Sequence, residues 1–245
     1  MIEEIKAGSG WGGIFVGAGL VVAACVLGTS YLWAGAQAGR VLEVTGTATE
    51  MVKADTATWH ADFSRSATVT NLKDGYAQMK NDEALVSKFF KDNKVASEEL
   101  QIMPVSMFVN YNKSQNNDAP VEYNLTQTIT VQTKDLAKVD QLAKSFQSLI
   151  NQGVIFSAQP VEYYYSGLSD LKVKLIGDAV KDAKARAQKV AEAGDRNVGE
   201  LRSAASGVVQ VLAPNSTDVS DYGTYDTRTI DKQVMVTVRT KWGVR

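Results

Sequence analysis

The spacing of polar and apolar residues changes along the chain, and each kind of spacing predicts a different kind of element. Near the start, a run between Lys6 and Arg40 contains no charged residue. Beyond Arg40, stretches in which apolar residues occupy every second position alternate with stretches in which they recur every three or four positions. The first spacing is typical of half-buried strands and the second of amphipathic helices. The sequence therefore predicts an apolar N-terminal segment followed by a domain that mixes strands and helices.

The uncharged run predicts one transmembrane helix over residues 11–33. A helix of this length rises about 33 Å, close to the ~30 Å thickness of the hydrocarbon core of a bilayer. Trp11 marks one end of the run, and Tyr31 and Trp33 mark the other, as aromatic residues do at the two membrane interfaces. We therefore expect residues 1–39 to anchor the protein, with residues 11–33 in the lipid bilayer, and residues 40–245 to form the folded domain.

Three other interpretations of this segment stay open. Ala34-Gly35-Ala36 fits a signal-peptide cleavage site, although the apolar run is long and an acidic segment precedes it. Val22-Ala23-Ala24-Cys25 resembles a lipidation motif, although apolar sequence continues beyond Cys25. Gly13 and Gly17 have the small-xxx-small spacing that permits close contact between membrane helices. The basic residues on the two sides of the run nearly balance, so charge decides no orientation.

Four strands and two helices are predicted between residues 53 and 165. The strands cover residues 53–67, 99–111, 121–133 and 154–165, and the helices cover residues 71–91 and 134–150, the second with Thr133 as its N-cap. This β-α-β-β-α-β order is the ferredoxin-like, split βαβ order, and it belongs to the α+β class. Because each strand has one apolar face, we expect helices to cover that face of an antiparallel sheet. A Thr-rich polar face then stays open.

A long helix is predicted in the C-terminal half, over residues 168–193, ending at Gly194. Ala179, Ala183, Ala187 and Ala191 recur every fourth position and form a smooth ridge on this helix. Small side chains allow a neighbouring element to approach closely, so this ridge could supply contacts in an oligomer, as could the sheet edges or the aromatic loop of residues 214–231. Further strands are predicted at residues 41–49, 201–206, 208–213 and 232–242.

Composition excludes several classes of function. The 245 residues include 26 basic and 27 acidic ones, and removing Glu3, Glu4 and Lys6 leaves 25 of each sign in the rest of the chain. This balance provides no basic field for nucleic acid, so we expect no nucleic-acid partner. One cysteine forms neither an intramolecular disulfide nor a Cys-based zinc site, and one histidine excludes mechanisms that need two.

The chemical candidates are few. His60 shares the polar face of its predicted strand with Asp62, and the pair could handle a proton or form half of a metal site between subunits. One titratable group without a nucleophile is no catalytic constellation, and a hydrogen-bonded sheet residue explains His60 more simply. Asp218, Asp221, Asp226 and Asp231 do not have EF-hand spacing, so a solvated loop is the simpler interpretation. We expect no enzyme activity, no cofactor and no metal site.

Five tyrosines could stack on an aromatic or glycan ligand or fill a subunit interface. They are Tyr163, Tyr164, Tyr165, Tyr222 and Tyr225. A core strand explains the first three more simply.

Several segments together resemble the SIMPL-domain family, which contains YggE-like and periplasmic immunogenic proteins. They are Val44-Thr-Gly-Thr-Ala48 with Ala54-Asp55, Val95-Ala-Ser-Glu-Glu-Leu-Gln-Ile102, the strand from Tyr123 to Val131 with Leu136-Ala-Lys-Val139 after it, and the alanine-spaced helix that ends at Gly194 before Val198-Gly-Glu-Leu201. The resemblance implies an exported or envelope protein of a family in which some members form ring-like or hollow oligomers. It also implies a link to envelope or oxidative stress, and it supplies no catalytic residues. Trp59 and Trp242 fit none of these patterns.

We therefore expect a single-pass protein of the bacterial inner membrane whose soluble domain lies in the periplasm. It would act without catalysis, as a ring- or cage-like homo-oligomer. The alternative is a periplasmic binding module that holds a glycan, a peptide or a small ligand on the Thr-rich face of the sheet.

Overall fold

A computed structural model describes the backbone of residues 11–38, 41–110 and 121–245. The helices are α1 (Trp11–Ala38), α2 (Leu72–Asp92), α3 (Leu136–Ser145), α4 (Gln147–Asn151) and α5 (Leu168–Ala193). The strands are β1 (Val41–Lys53), β2 (Thr56–Thr68), β3 (Leu100–Ile102), β4 (Ser106–Val109), β5 (Glu122–Thr133), β6 (Phe156–Ala158), β7 (Glu162–Tyr164), β8 (Val198–Leu212) and β9 (Asp231–Val244). These elements confirm the α+β class and the long helix in the C-terminal half.

The chain forms two compact units. Unit 1 contains the described residues up to Thr47, with Ile176–Gly207 and Thr237–Arg245. Unit 2 contains Ala48–Leu175 and Val208–Val236. The chain passes between the units several times, so that α5, β1, β8 and β9 each have residues in both.

The sheet of unit 2 is antiparallel at every pairing that the structure describes. Its strand order is β3-β5-β2-β6, with β4 also paired to β5 and β7 also paired to β2. The two central strands, β2 and β5, pair along their full length, from Ala57 opposite Thr133 to Thr68 opposite Glu122. The elements follow one another as β-α-β-β-α-β, with the second and fourth strands each divided in two.

Both divided strands contain a proline at the break. We expected continuous strands over residues 99–111 and 154–165, but Pro104 separates β3 from β4 and Pro160 separates β6 from β7. Proline has no N–H to donate to a sheet, and it is tolerated at the edges of sheets. Backbone pairing continues up to each proline, since Met103 N donates to Thr128 O at 2.8 Å and Gln159 N donates to His60 O at 2.9 Å. Tyr111, the end of the predicted second strand, lies outside the described residues.

The core of unit 2 lies on one face of this sheet. The predicted apolar face of β2 is buried as expected, with Trp59 and Phe63 fully buried beside Met79 and Phe90 of α2. Trp59, which fitted no sequence pattern, fills the centre of this core and donates its indole N–H to Gln159 O at 3.0 Å. Alternation along β2 therefore decides which of its faces receives the helices.

A buried ion pair joins β2 to α2 beside that core. Arg65 binds Asp82 through two bonds, Nε to Oδ2 at 2.6 Å and Nη2 to Oδ1 at 2.8 Å. The Asp82 side chain is 5% exposed and the Arg65 side chain 22% exposed. Arg65 also donates to Gly153 O at 2.7 Å. This bidentate pair neutralises the carboxylate charge that α2 places in the interior.

Two expected details of the second helical segment differ in the structure. Asp135, rather than Thr133, caps α3, because its carboxylate accepts from Lys138 N at 3.0 Å. Thr133 instead donates its hydroxyl to Glu99 at 2.5 Å and accepts from Asp135 N at 3.1 Å. The segment also divides into α3 and α4 at Phe146.

The alanine ridge of α5 is buried inside unit 1. A Cβ placed on Gly46 of β1 would collide with Ala179 O and would stand 2.5 Å from Ala183 N, so only glycine fits there. Next to Gly46, Thr47 N donates to Asp182 Oδ2 at 2.9 Å. All four ridge residues have little exposed surface: Ala179 0%, Ala183 0%, Ala187 0% and Ala191 5%. The ridge therefore packs within its own protomer, and the oligomer contact that we expected it to make has no exposed surface to use.

The other unassigned tryptophan has a structural role in unit 1. Trp242 is buried and donates its indole N–H to Thr240 Oγ1 at 2.8 Å, and Thr240 donates to Val44 O at 2.9 Å. This chain of bonds fastens β9 to β1.

The N-terminal helix α1 is 28 residues long. Its large apolar side chains within residues 17–30 are exposed, among them Leu20 at 67% and Leu27 at 71%. Within the described part of the chain, no helix is both long enough and apolar enough to cross a membrane. The side chains of Trp11, Tyr31 and Trp33 lie outside that part, so the predicted transmembrane helix stays a prediction.

Candidate functional site

The polar face of the unit 2 sheet lies opposite the core and is only half-buried. Its residues meet in register across the two central strands, with Thr58 opposite Gln132, His60 opposite Thr130 and Asp62 opposite Thr128. This is the Thr-rich face that the alternation of β2 and β5 predicted.

His60 and Asp62 do not pair with each other. The His60 Nδ1 atom lies 3.1 Å from Thr130 Oγ1, and Asp62 Oδ1 accepts from Thr128 Oγ1 at 2.6 Å. Each side chain therefore bonds across to β5 rather than along β2. Spacing along β2 specifies only the neighbours on that strand, whereas the register of β5 decides which partner each side chain bonds.

A shallow cleft on this face brings His60 together with residues that the sequence did not connect to it. Its volume is about 370 Å³. The lining residues come from β2, β5, β7 and the turn after β7: Thr56, Thr58, His60, Gln132, Glu162, Tyr164 and Ser166. The separation of these residues along the chain, more than one hundred positions from first to last, hid the cleft from sequence patterns.

The carboxylates at the cleft are held by hydrogen bonds from hydroxyl and backbone N–H groups. Tyr164 donates its hydroxyl to Glu162 Oε2 at 2.8 Å, and burial together with this carboxylate raises the pKa of Tyr164 to about 12. Beside the cleft, Asp55 accepts from Ser166 Oγ at 2.6 Å and from Ser166 N at 2.9 Å, which lowers the pKa of Asp55. The cleft thus offers hydroxyl, amide and imidazole groups around one carboxylate, a set that suits a neutral ligand rich in hydroxyl groups.

The acidic loop before β9 is organised around a lysine. Lys232 is fully buried and donates to Asp226 O at 2.5 Å and Thr229 O at 2.8 Å, with Nζ 5.5 Å from the centre of the Tyr225 ring. Burial lowers the pKa of Lys232. Within the described residues, no three His, Cys, Asp or Glu side chains form a group that could hold a metal ion.

Asp226 is committed to the same loop. Burial alone would raise its pKa, but hydrogen bonds from the Thr229 hydroxyl and backbone and the nearby Lys232 charge lower the pKa of Asp226 overall. Asp226 therefore stabilises the loop as the counter-ion of Lys232.

Of the five tyrosines that could contact a ligand or a subunit interface, Tyr163, Tyr164 and Tyr225 make contacts within the fold. Tyr163 is buried and donates to Asp140, and burial raises its pKa to about 12. Tyr164 and Tyr225 lie with ring centres 5.6 Å apart, and the Tyr225 hydroxyl accepts from Tyr165 N at 3.0 Å. Tyr222 differs from the others, because it is 97% exposed.

A second candidate surface is the free edge of β8. We expected two short strands at residues 201–206 and 208–213, but the structure has one strand of 15 residues. β8 is the last strand in the order β1-β9-β8. Near its C-terminal end Val211 bridges to Tyr225, and among the described residues the rest of β8 pairs with β9 only. Its residues 200–208 are exposed on both faces of the strand. Long exposed edges of this kind are sites at which strands from other chains add.

The geometry thus defines an α+β domain with a half-open polar sheet face and an edge strand, β8, that is exposed over residues 200–208. The sequence model of the SIMPL family, described as a protein of unknown function (DUF541), matches residues 42–242. The chain belongs to this family, which confirms the resemblance seen in the sequence. The matched region begins in β1 and ends in β9, and it does not include α1. No curated protein matches the chain.

Proposed function

We propose that the protein is a membrane-anchored envelope protein without enzymatic activity, whose domain assembles into a ring- or cage-like homo-oligomer. The observation that carries the proposal is the edge of β8, exposed on both faces over residues 200–208. Monomeric proteins shorten, charge or cover such edges, since an open one recruits further strands. The equal numbers of acidic and basic residues beyond Lys6, 25 of each, leave no global repulsion between copies.

The anchor would be α1. The run from Lys6 to Arg40 has no charge, and the described large apolar side chains of α1 are 58–71% exposed instead of packed. Exposure of contiguous apolar surface is costly in water and favourable in lipid. This anchor and the family resemblance support a location in the bacterial inner membrane with the domain in the periplasm, and the resemblance supports a role in envelope or oxidative stress.

The mass of the full-length protein in mild detergent tests self-assembly. Light scattering after size-exclusion chromatography should give a fixed multiple of the protomer mass over a hundredfold range of concentration. Electron microscopy of the same sample should show closed particles. One protomer mass at every concentration would overturn the proposal.

Membrane anchoring has a separate test. The full-length protein should stay in the membrane fraction after alkaline carbonate washing, and the double variant Leu20→Arg, Leu27→Arg should be released. Matched reversals at the exposed Lys181 and Lys189 of α5 should leave the fractionation unchanged. Release of the unaltered protein by carbonate would contradict the anchor.

The cleft around His60 favours a second candidate function, a binding module for a glycan, a peptide or a small ligand. A thermal-shift screen with neutral sugars, short peptides and envelope components tests it, because a ligand of the native state raises the midpoint of unfolding. A hit should be lost in Tyr164→Phe or His60→Ala and kept in Thr126→Ala, which lies on the same sheet face outside the cleft. A ligand that still raises the midpoint of unfolding in both cleft variants would bind outside the cleft.

A further inference from the structure

We infer that two copies of the chain pair through β8, antiparallel, about a two-fold axis that passes beside Leu201. This contact rests on the proposed self-assembly and identifies one of the surfaces that would build it, since a two-fold contact joins two copies only. It would continue the three-stranded sheet of one copy into that of the next. Four observations on unit 1 carry the inference: free backbone groups, exposed side chains, unpaired charges and a self-complementary order of those charges.

The backbone of β8 has groups free to pair. Asn197 and Arg245 exchange both of their backbone hydrogen bonds, each 2.9 Å long, so Asn197 faces β9. In an antiparallel ladder the next residues alternate, which directs the N–H and C=O groups of Glu200 and Arg202 away from β9. These groups lie on the free edge, where a further strand would bond to them.

The side chains around this point are exposed. Leu201 is 42% exposed, and Glu200 and Arg202 are exposed on the opposite face of the strand. The alanine ridge of α5 is buried in the same unit, so it does not compete as a contact surface. Pairing two copies would bring Leu201 against its symmetry mate.

The charges here are available for a partner. Among the described residues, neither Glu200 nor Arg202 has an ion-pair partner. Charged residues on the neighbouring strands are paired, since Glu43 of β1 lies near Arg239 and Lys241 of β9. With the axis beside Leu201, Glu200 of each copy lies opposite Arg202 of the other. Opposite charges on directly facing residues stabilise a strand pair, and like charges destabilise it.

The register is specific for this axis. If the axis moved to Ser203, Arg202 would face Ala204 and would lie diagonal to Arg202 of the second copy. That arrangement gives no ion pair and places two like charges within reach of each other. The segment is therefore complementary to itself in one register, which favours a second copy over an unrelated strand.

Charge reversal in the full-length protein tests the pairing. Glu200→Arg or Arg202→Glu alone places like charges opposite each other twice per contact, and we expect association to weaken about tenfold. The double variant Glu200→Arg, Arg202→Glu restores both pairs in reversed order and should associate within about threefold of the unaltered protein. The control Lys189→Glu, on an 82% exposed side chain of α5, should leave association unchanged.

A cysteine cross-link locates the axis. Cys25 is the only cysteine, so Cys25→Ala gives a background without thiols. In that background Leu201→Cys should form a disulfide dimer on mild oxidation. Facing residues that form a non-hydrogen-bonded pair in an antiparallel ladder have Cα atoms about 4.5 Å apart, within disulfide range. Ser203→Cys should form no such dimer, since its symmetry mate lies four residues further along the strand, more than about 13 Å away.

The outcomes separate this inference from the proposed function. If the unaltered protein is a monomer, the proposed self-assembly fails together with the inference. If it is an oligomer whose association is unchanged by the single charge reversals and that forms no disulfide dimer with Leu201→Cys, the self-assembly stands and the β8 contact is refuted. A cross-link at Ser203→Cys in place of Leu201→Cys would refute the register. Circular dichroism of every variant checks that loss of association is not loss of fold.

Discussion

Strands β2 and β8 have similar lengths, 13 and 15 residues, yet their surroundings are opposite. β2 has β5 on one side and β6 and β7 on the other, and α2 covers one of its faces. Among the described residues, β8 has β9 beside it and one bridge from Val211 to Tyr225, and its residues 200–208 are exposed on both faces. β2 carries large apolar residues such as Trp59 and Phe63 at alternate positions, whereas β8 carries mainly small and polar ones.

The difference shows which strand edges this fold uses and which it leaves open. A strand whose alternation is strong is used to build the core, because burying its apolar face is the main driving force for folding. A strand without that pattern contributes backbone pairing to its own sheet and leaves its other edge for a partner. Substitutions near β2 should therefore change stability, and substitutions on β8 should change association.

The largest effect is expected at the ion pair between β2 and α2. Asp82→Ala leaves the guanidinium of Arg65 without its partner in a largely buried position, and we expect a loss of about 3 kcal/mol. Urea unfolding followed by circular dichroism measures it. Glu98→Ala, on an exposed residue outside the core, is the matched control and should change stability by less than about 0.5 kcal/mol. A loss at Asp82 no larger than that of the control would show that the pair contributes little.

The next effect distinguishes two glycines of unit 1. Gly46→Ala forces a Cβ against the backbone of α5, and we expect a loss of about 1–3 kcal/mol. Gly177→Ala has the opposite sign, because a Cβ there meets no neighbouring atom within 4 Å and alanine favours the helix by about 0.5–1 kcal/mol. Thermal unfolding of both variants checks the pair. Equal shifts for the two glycines would contradict the close packing of β1 on α5.

A smaller effect concerns pH at the end of β5, the partner of β2. The hydroxyl of Thr133, the backbone of Ala96 and the amine of Lys138 lower the pKa of Glu99 below its ordinary 4.5. The unfolded chain then takes up this proton more readily, so the stability that Glu99 contributes is present above pH 4.5 and is lost as the pH falls. Thr133→Val removes the first donor, and we expect a smaller loss of stability between about pH 5 and pH 3. Thr126→Val should keep the slope of the unaltered protein.

The smallest effect is expected on β8 itself. Leu201→Ala removes a side chain that is 42% exposed, and we expect the stability of the dilute protein to change by less than about 0.5 kcal/mol. The same variant should weaken association in mild detergent. Denaturation at two protein concentrations separates the two quantities. A loss above about 1.5 kcal/mol at high dilution would mean that Leu201 packs within its own protomer.

Several parts of this protein could be predicted because they depend on local spacing. The alternation of Trp59, Ala61 and Phe63 predicted a strand with one buried face. The alanines at every fourth position of α5 predicted a long helix that a neighbouring element approaches closely. The diffuse motifs around Val44 and Gly194 were sufficient to indicate the family. Such features follow from periodicity, which one segment carries by itself.

Other parts depended on neighbours that no local pattern specifies. The alanine ridge of α5 predicted that a neighbouring element packs closely against this helix. The tertiary structure decided that this neighbour is β1 of the same chain, at Gly46. His60 and Asp62 share a strand face, but register with Thr130 and Thr128 decided their partners.

The exposure of β8 belongs to the same group, because it follows from the order β1-β9-β8 and not from its residues. The sequence by itself determined the α+β class, the buried face of β2 and membership of the family. The tertiary structure decided which surfaces remain available, since exposure depends on what distant parts of the chain cover.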